Sequence, residues 1–198
     1  MRLRLAVVLA LLAAGTIPAA AAGLTGMGAA IFGSGFNFKA ANLSATPVRT
    51  IAVGGLAVGL QTTRLAEVQK AFGGIIRSDG AATWLCYHTA DTNSWFISNA
   101  FGGQEFVMMV AVETSTRTPA DCEAAGDTFS PPEFGVPGLG AKAAELKAHF
   151  GAASGSKIAY RADRAGGYAD IAQYLGYVLK SGTVTGLGVG ETSIPTAH

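Results

Sequence analysis

A short helical pattern occurs twice in this chain of 198 residues. LAEVQKAFGG spans residues 65–74, and AAELKAHFGA spans residues 143–152. In both, an Ala-Glu pair begins a run with apolar residues at helical spacing, and Phe-Gly ends it, as glycine commonly ends a helix. The offset of 78 residues, from 65 to 143, also places the Glu-Thr-Ser at 113–115 on the Glu-Thr-Ser at 191–193. We therefore predict a duplicated unit.

Strand-like segments follow each of these helical segments. They are rich in β-branched and aromatic residues, and turn-forming residues separate one from the next. The segments are residues 81–89, 93–101 and 105–113 after the first helix, and residues 156–163, 169–179 and 183–193 after the second. Joining two such units edge to edge enlarges a small core and removes two exposed strand edges. We therefore predict an α+β fold of two tandem helix-plus-antiparallel-sheet repeats that share one curved sheet, with the helices on one face and the other face open.

This prediction divides the chain into five regions. Its boundaries follow a leader, a Gly- and Ala-rich stretch, and a stretch that holds four of the seven prolines. The regions are a signal peptide (1–22), an N-terminal extension (23–57), a first α+β repeat (58–115), a Pro-rich linker (116–138) and a second α+β repeat (139–198).

The first residues have the three parts of a secretory signal peptide. Arg2 and Arg4 are followed by an apolar stretch at residues 6–14, and Pro18 precedes a run of alanines that ends at Ala22. The apolar stretch is too short to cross a bilayer core of about 30 Å. We predict cleavage near Ala22, and thus a bacterial periplasmic or secreted protein whose mature chain has no transmembrane segment.

The chain has two cysteines, Cys86 and Cys122. In an exported protein an even pair predicts a disulfide. A reactive or metal-binding pair is the alternative. No histidine lies at ligand spacing from either cysteine, so we predict a disulfide and no metal site.

The charges of the chain are nearly balanced, with 14 lysines and arginines against 13 acidic residues. The leader holds two arginines and no acid, so the mature chain has a formal net charge of −1. Such a chain lacks the basic excess that binds phosphate backbones or anionic membranes. We therefore predict no nucleic-acid partner.

The sequence offers little for catalysis. Its histidines are His88, His149 and His198, and no Gly-x-Ser-x-Gly, HExxH, CxxC or EF-hand pattern accompanies them. GLGVGE at 186–191 lacks the helix that follows a nucleotide-binding loop, which favours a Gly-rich strand. We predict no enzymatic activity and no cofactor. A hydrolase stays an alternative, because a glycosidase needs only two carboxylates beside a cleft.

Aromatic side chains on the predicted strands are the remaining candidates for binding. Because side chains alternate between the faces of a strand, some rings pack in the core and others reach the open face. Interfaces favour aromatic anchors. The candidates are Trp84, Tyr87, Trp95, Tyr174 and Tyr177. Several strands are apolar on both sides, so the sequence leaves open which of these rings face outward.

Two stretches carry a resemblance to known families: LAEVQKAFG with the later TWLCY, and AAELKAHFG with the strands that follow it. They resemble the secreted beta-lactamase-inhibitor proteins and the related single-module lipoproteins of outer-membrane assembly, of the SmpA/OmlA type. The resemblance implies a tandem α+β fold whose open sheet face grips another protein. The chain departs from the inhibitors, which have a disulfide in each module, and from the lipoproteins, which carry an acylated cysteine after the leader.

On these grounds we expect an exported, non-enzymatic binding protein. It would use the open sheet face to bind a periplasmic or secreted protein, as an inhibitor or in envelope assembly. The alternative is a small-molecule or lipid carrier, in which the apolar strand FVMMVAV at 106–112 lines the pocket.

Overall fold

The computed structural model describes residues 23–166 and 169–195. Within these residues the chain forms three short α-helices, one eight-stranded sheet and one two-stranded hairpin, which confirms the α+β class. The helices are α1 (Gly26–Phe32), α2 (Leu65–Phe72) and α3 (Ala143–Phe150). None of the helices in this part of the chain has the length and apolar character needed to span a membrane. The predicted signal peptide lies outside the described residues.

The strands pair almost entirely in the antiparallel sense. They are β1 (Ile51–Val53), β2 (Leu56–Val58), β3 (Arg77–Ser78), β4 (Ala82–His88), β5 (Thr92–Asn99), β6 (Met109–Thr114), β7 (Glu123–Ala124), β8 (Lys157–Arg164), β9 (Ala169–Lys180) and β10 (Thr183–Pro195). β1 and β2 form the hairpin. The order across the large sheet is β3-β4-β5-β6-β10-β9-β8, with β7 parallel to β4. Five of the six long strands lie where the sequence predicts them, whereas β6 begins at Met109, four residues after the predicted start at 105. β6 pairs with β10 at the centre.

Helices α2 and α3 begin and end with the same chemistry. Glu67 accepts a hydrogen bond from the backbone N–H of Arg64 at 2.9 Å, and Glu145 accepts one from Lys142 at 2.7 Å. Each contact satisfies a donor that the start of a helix leaves unpaired. A glycine with positive φ follows the last residue of each helix, as the Phe-Gly pattern predicts.

Helices α2 and α3 pack on the same face of the sheet, which we call the helix-pair face. Leu65 and Val68 of α2 and Leu146 of α3 are buried in one cluster with inward residues of the strands, among them Phe96 and Leu187. Burying each such side chain contributes about 1.5–3 kcal/mol. Side chains of the β1–β2 hairpin join the same cluster, so the hairpin extends the cover of this face.

The opposite face is covered by α1, and we call it the α1 face. Met27 and Ile31 are buried there with Trp95. On β10 the residues beneath α1 are glycines, and a Cβ built on Gly186 or Gly188 would lie 3.1–3.2 Å from Met27 or Ile31. The helix therefore lies directly on the strand backbone, at a distance that larger side chains would prevent.

The expectation that the helices share one face holds for α2 and α3 and is wrong for α1. The predicted N-terminal extension, 23–57, supplies α1, and so the face expected to be open is covered over its centre. α1 has only seven residues, GMGAAIF, which is too short and too rich in glycine and alanine to give a clear amphipathic pattern. The glycines of 186–191 form a strand, as predicted, and they make room for this helix.

The 78-residue offset aligns α2 with α3 but does not align the strands. It places Phe96 on Tyr174, but these two side chains lie on opposite faces of the sheet. Phe96 is buried in the helix-pair core, whereas the ring of Tyr174 contacts Phe38 on the α1 face at 5.2 Å between centroids. Leu175, the next residue, is the one that shares the core with Phe96. Because a one-residue slip moves every side chain to the opposite face, the offset that fits the helices is wrong for the strands.

Residues 116–138, predicted to be a Pro-rich linker, pack against both faces of the sheet. Cys122 is buried on the α1 face, whereas Phe129 and Phe134 are buried in the helix-pair core. β7, from the same segment, pairs with β4 beyond the part that β3 covers. The segment therefore protects an edge of the sheet and contributes to its core.

Candidate functional site

Four of the five aromatic residues proposed as binding anchors are buried. Trp84 and Trp95 lie under the segment that contains α1, and Tyr87 and Tyr177 lie in the helix-pair core. None of the four is more than 3% exposed, because both faces of the sheet are covered at these positions. Their rings therefore pack in the core and are not surface anchors. Tyr174 differs from them in being partly exposed.

Two of the buried rings use their polar atoms for fixed contacts. Trp95 Nε1 donates to Asp121 Oδ2 at 3.0 Å, and the hydroxyl of Tyr87 donates to the carbonyl oxygen of Gly73 at 2.8 Å. Burial raises the pKa of the Tyr87 and Tyr177 phenols, so both stay protonated at neutral pH. These contacts are structural.

Cys86 and Cys122 form a disulfide, as predicted. Asp121 lies beside it, and the three residues are the cluster of potential metal ligands found among the described residues. The sulfurs are bonded to each other, and the Asp121 carboxylate accepts hydrogen bonds from Thr25 Oγ1 at 2.8 Å and from Trp95. The cluster therefore offers no thiolate to a metal in the oxidised protein.

His88 belongs to a chain of hydrogen bonds that ends at α1. Its Nδ1 lies 2.6 Å from Asn93 Oδ1, and Asn93 Nδ2 donates to Glu113 Oε1 at 3.4 Å. Glu113 Oε2 accepts from the backbone N–H of Met27 at 2.8 Å, where a negative charge stabilises the start of a helix. Within the described part of the chain, no hydroxyl or thiol is hydrogen-bonded to His88, so this network holds α1 in place. His198 lies outside the described residues.

A polar pocket lies at one end of the helix-pair face, and we call it the Glu191 pocket. Its cavity of about 420 Å³ lies between the β1–β2 hairpin and strands β8, β9 and β10. The lining combines an apolar group with a polar and charged one. The first is Val48, Ile51, Val58 and Leu60, and the second is Thr46, Arg49, Thr62, Arg164, Gln173 and Glu191.

Two amides hold the carboxylate of Glu191 in one orientation. Gln61 Nε2 donates to its Oε1 at 2.7 Å, and Gln173 Nε2 donates to its Oε2 at 3.1 Å. Gln173 is 2% exposed and is itself fixed by the backbone of Val48, with which it exchanges two hydrogen bonds of 2.9 and 2.8 Å. Ser193 Oγ donates to Gln61 Oε1 at 2.6 Å. The pocket therefore presents an oriented carboxylate whose remaining lone pairs are able to accept hydrogen bonds.

Arg49 and Arg164 bring positive charge to the same pocket. Both residues are exposed, and among residues 23–166 and 169–195 neither lies within 4.0 Å of a carboxylate oxygen, Glu191 included. One negative and two positive groups thus line one cavity without pairing. A molecule with groups of both signs would satisfy them together.

Strand pairing brings the pocket residues together from distant parts of the chain. Glu191 of β10 and Gln173 of β9 are cross-strand neighbours, so their side chains meet on the helix-pair face. The sequence did not single out Glu191 as a site residue, and Gln173, Gln61 and the two arginines were missed. The available signal was a glutamine at an inward position of β9, in alternation with Leu175 and Tyr177.

A second surface feature lies on the α1 face, beside α1, and we call it the Tyr174 cluster. The rings of Tyr174 and Phe38 lie 5.2 Å apart between centroids, and those of Phe38 and Phe36 lie 5.6 Å apart. The guanidinium of Arg161 lies 5.5 Å from the Tyr174 ring centroid and pairs with Asp163 at 2.7 Å. All three rings are partly exposed, which makes this the accessible part of the predicted binding surface.

Comparison of the chain with protein-family models, with curated proteins and with solved structures gives no match. The resemblance to the inhibitor and lipoprotein families therefore stays a prediction.

Proposed function

We propose that this chain is an exported binding protein without enzymatic activity, and that it holds a small polar molecule in the Glu191 pocket. One observation carries the proposal: two amides fix the Glu191 carboxylate in a cavity that also holds two arginines, with which it does not pair. The leader pattern at 1–22 and the disulfide support export, because disulfides persist in oxidising compartments.

The charges of the pocket favour a zwitterionic ligand. An ammonium group would donate to Glu191, and a carboxylate or phosphate would accept from Arg49 and Arg164, whose guanidinium groups suit two-point contact with such anions. The cavity of about 420 Å³ is within the usual range of about 300–1,000 Å³ for small-molecule sites. Its apolar wall would contact the carbon skeleton.

Binding explains this pocket better than catalysis does. Glycoside hydrolysis needs a pair of carboxylates, and Glu191 is the single carboxylate among the described residues that line the cavity. That lining also contains no histidine or cysteine. Glu191 therefore has no second carboxylate, histidine or cysteine in this lining to share the work of nucleophile and base, whereas its position beside two arginines suits the recognition of charge.

We also propose that the two halves of the sheet descend from one duplicated unit. Helices α2 and α3 each precede three long strands, cover the same face of the sheet and share the same capping contacts. The strands then align one residue away from the helix offset, as Phe96 does with Leu175, because the register slipped by one residue after duplication. A crystal structure in which β4–β6 superpose on β8–β10 with the same strand order and inward faces would support this, and a different order would contradict it.

The ligand proposal is tested by calorimetric titration after a thermal-shift screen with free α-amino acids, ω-amino acids and dipeptides. We expect a hit whose affinity falls at least about tenfold in Glu191→Gln, because a hydrogen bond to a charged group contributes about 1.5–3 kcal/mol. Glu133→Gln is the matched control, since it neutralises an exposed acid outside the pocket lining. Equal affinity of the two variants, or no hit in the panel, contradicts the proposal.

A protein partner at the Tyr174 cluster is the second candidate function. It is favoured by three adjoining, partly exposed rings beside an arginine, a composition common in interface anchors. In capture from periplasmic extract, a stoichiometric partner should be retained by Phe101→Ala and lost by Tyr174→Ala. Phe101 is a suitable control because its ring is 81% exposed on the 3-10 turn after β5. Equal capture by both variants counts against this surface.

A further inference from the structure

Gly23 lies against the turn between β3 and β4. Its backbone N–H donates to Asp79 Oδ2 at 3.2 Å. The other carboxylate oxygen of Asp79, Oδ1, accepts hydrogen bonds from the backbone N–H groups of Ala81 and Ala82 at 3.1 and 3.0 Å. The turn therefore uses one oxygen of Asp79, and the second oxygen is directed to the nitrogen of Gly23.

Packing also fixes the position of Gly23. A Cβ at this residue would lie 2.5 Å from Cη2 and 2.8 Å from Cζ2 of Trp84, whose ring is 3% exposed. Only glycine fits against that ring without displacing it. The next residue, Leu24, is buried in the cluster that holds α1 to the sheet.

The leader pattern predicts cleavage after Ala22, in front of this same residue. Cleavage there converts the amide nitrogen of Gly23 into an α-ammonium group by hydrolysis of one peptide bond. We propose that Gly23 is the mature amino terminus and that Asp79 is its binding site, so that leader removal creates an ion pair that fastens the α1 segment over the sheet. This proposal rests on the proposed export and is independent of the ligand.

The geometry suits an ammonium better than an amide. An amide has one N–H donor, whereas an ammonium has three and carries a positive charge, which makes its hydrogen bond to a carboxylate shorter and stronger. Burial raises the pKa of Asp79, but the backbone N–H donors of Ala82, Gly23 and Ala81 outweigh it, and the net pKa is below the ordinary value. The carboxylate is thus ionised and prepared for a cation.

A double-mutant cycle on the purified chain tests the pair. Four proteins are made by removing a cleavable fusion: chains that begin at Gly23 or at Ala22, each with Asp79 or with Asp79→Asn. Asparagine keeps the acceptor oxygen for the turn and removes the charge, so the variant is expected to fold. The chain that begins at Ala22 is the matched control, because it moves the ammonium one residue away.

We expect Asp79→Asn to lower Tm by about 1–3 °C more in the chain that begins at Gly23 than in the chain that begins at Ala22. This is the range for a partly exposed ion pair in a chain of this size. Acetylating the Gly23 amine should remove the same difference. An equal loss of Tm in both backgrounds overturns the proposal.

Intact mass of the full chain after expression in an exporting bacterium locates the terminus. A mass that begins at Gly23 supports the proposal. A mature chain that begins elsewhere overturns it and leaves export standing. A retained leader contradicts export as well, so the two failures are distinguishable.

Discussion

The two halves of the sheet differ in how far their two faces are covered. In β4, β5 and β6 both faces are closed: Trp84 and Trp95 fill the α1 face, and the disulfide ties the next segment to it. In β8, β9 and β10 the helix-pair face carries Gln173 and Glu191 among its apolar residues. On the α1 face, α1 covers β10, whereas the ring of Tyr174 on β9 is partly exposed. The first half is therefore the more fully covered of the two, and the proposed recognition site lies in the second.

The largest effect should come from removing a ring of the closed half. Trp95→Ala should lower the free energy of unfolding by about 3–5 kcal/mol, because the ring is 0% exposed and its Nε1–H satisfies Asp121. Tyr174→Ala, in the other half, should cost about 1 kcal/mol or less. Urea denaturation measures both free energies of unfolding, and similar losses in the two variants would contradict the difference in burial between the halves.

Removing the disulfide should have the next largest effect. Changing Cys86 and Cys122 together to serine should cost about 2–4 kcal/mol, since the bond closes a loop with a sequence separation of 36 residues. The pair lies in the closed half, so ligand affinity at the Glu191 pocket should not change while the protein is folded. A loss of affinity in titrations at low temperature would show that the halves are not separable.

Gln173→Leu should affect both stability and binding. It leaves the N–H and C=O of Val48 without partners and removes one donor from Glu191, at a cost of about 1–3 kcal/mol. Ligand affinity should fall at least about tenfold, because the carboxylate loses its orientation. Gln104→Leu is the control, since it removes an amide of the first half that bonds to Thr83. Unchanged affinity in Gln173→Leu would argue against the pocket.

Sequence reasoning predicted the elements whose patterns are local. Alternation and turn residues predicted the long strands, and Phe-Gly with an early glutamate predicted α2 and α3. It missed α1, which depends on glycines of β10 more than 150 residues later in the chain. It left open which face of the sheet each strand side chain occupies, because a one-residue change of register reverses the faces and leaves the composition unaltered.

The candidate site was harder to predict than the fold. Arg49, Gln61, Arg164, Gln173 and Glu191 come from separate elements, and no spacing in the sequence relates them. They meet because β9 pairs with β10 and because the segment before β1 bonds to a side chain of β9. Tertiary contacts of this kind leave no periodic signal in the sequence. The aromatic residues chosen as binding candidates are mostly core residues.

The smallest effect on stability should come from Arg49→Ala. Arg49 is exposed, and within the described residues it has no carboxylate partner, so the change should alter stability by less than about 0.5 kcal/mol. It should nevertheless weaken binding of the ligand's anionic group in titrations. Arg64→Ala removes another exposed arginine, outside the pocket lining, and should leave affinity unaltered. Equal affinities of the two variants would show that the ligand's anionic group does not bind at Arg49.

Hydrogen–deuterium exchange with and without a screened ligand shows whether the Glu191 pocket is the binding site. If the ligand occupies the Glu191 pocket, exchange should slow at residues 46–51 and 58–62, which line it, and should not change at residues 23–38 on the α1 face. Slowed exchange at residues 23–38, with no change in exchange at the pocket residues, would contradict binding in the Glu191 pocket. It would indicate that the ligand binds on the α1 face.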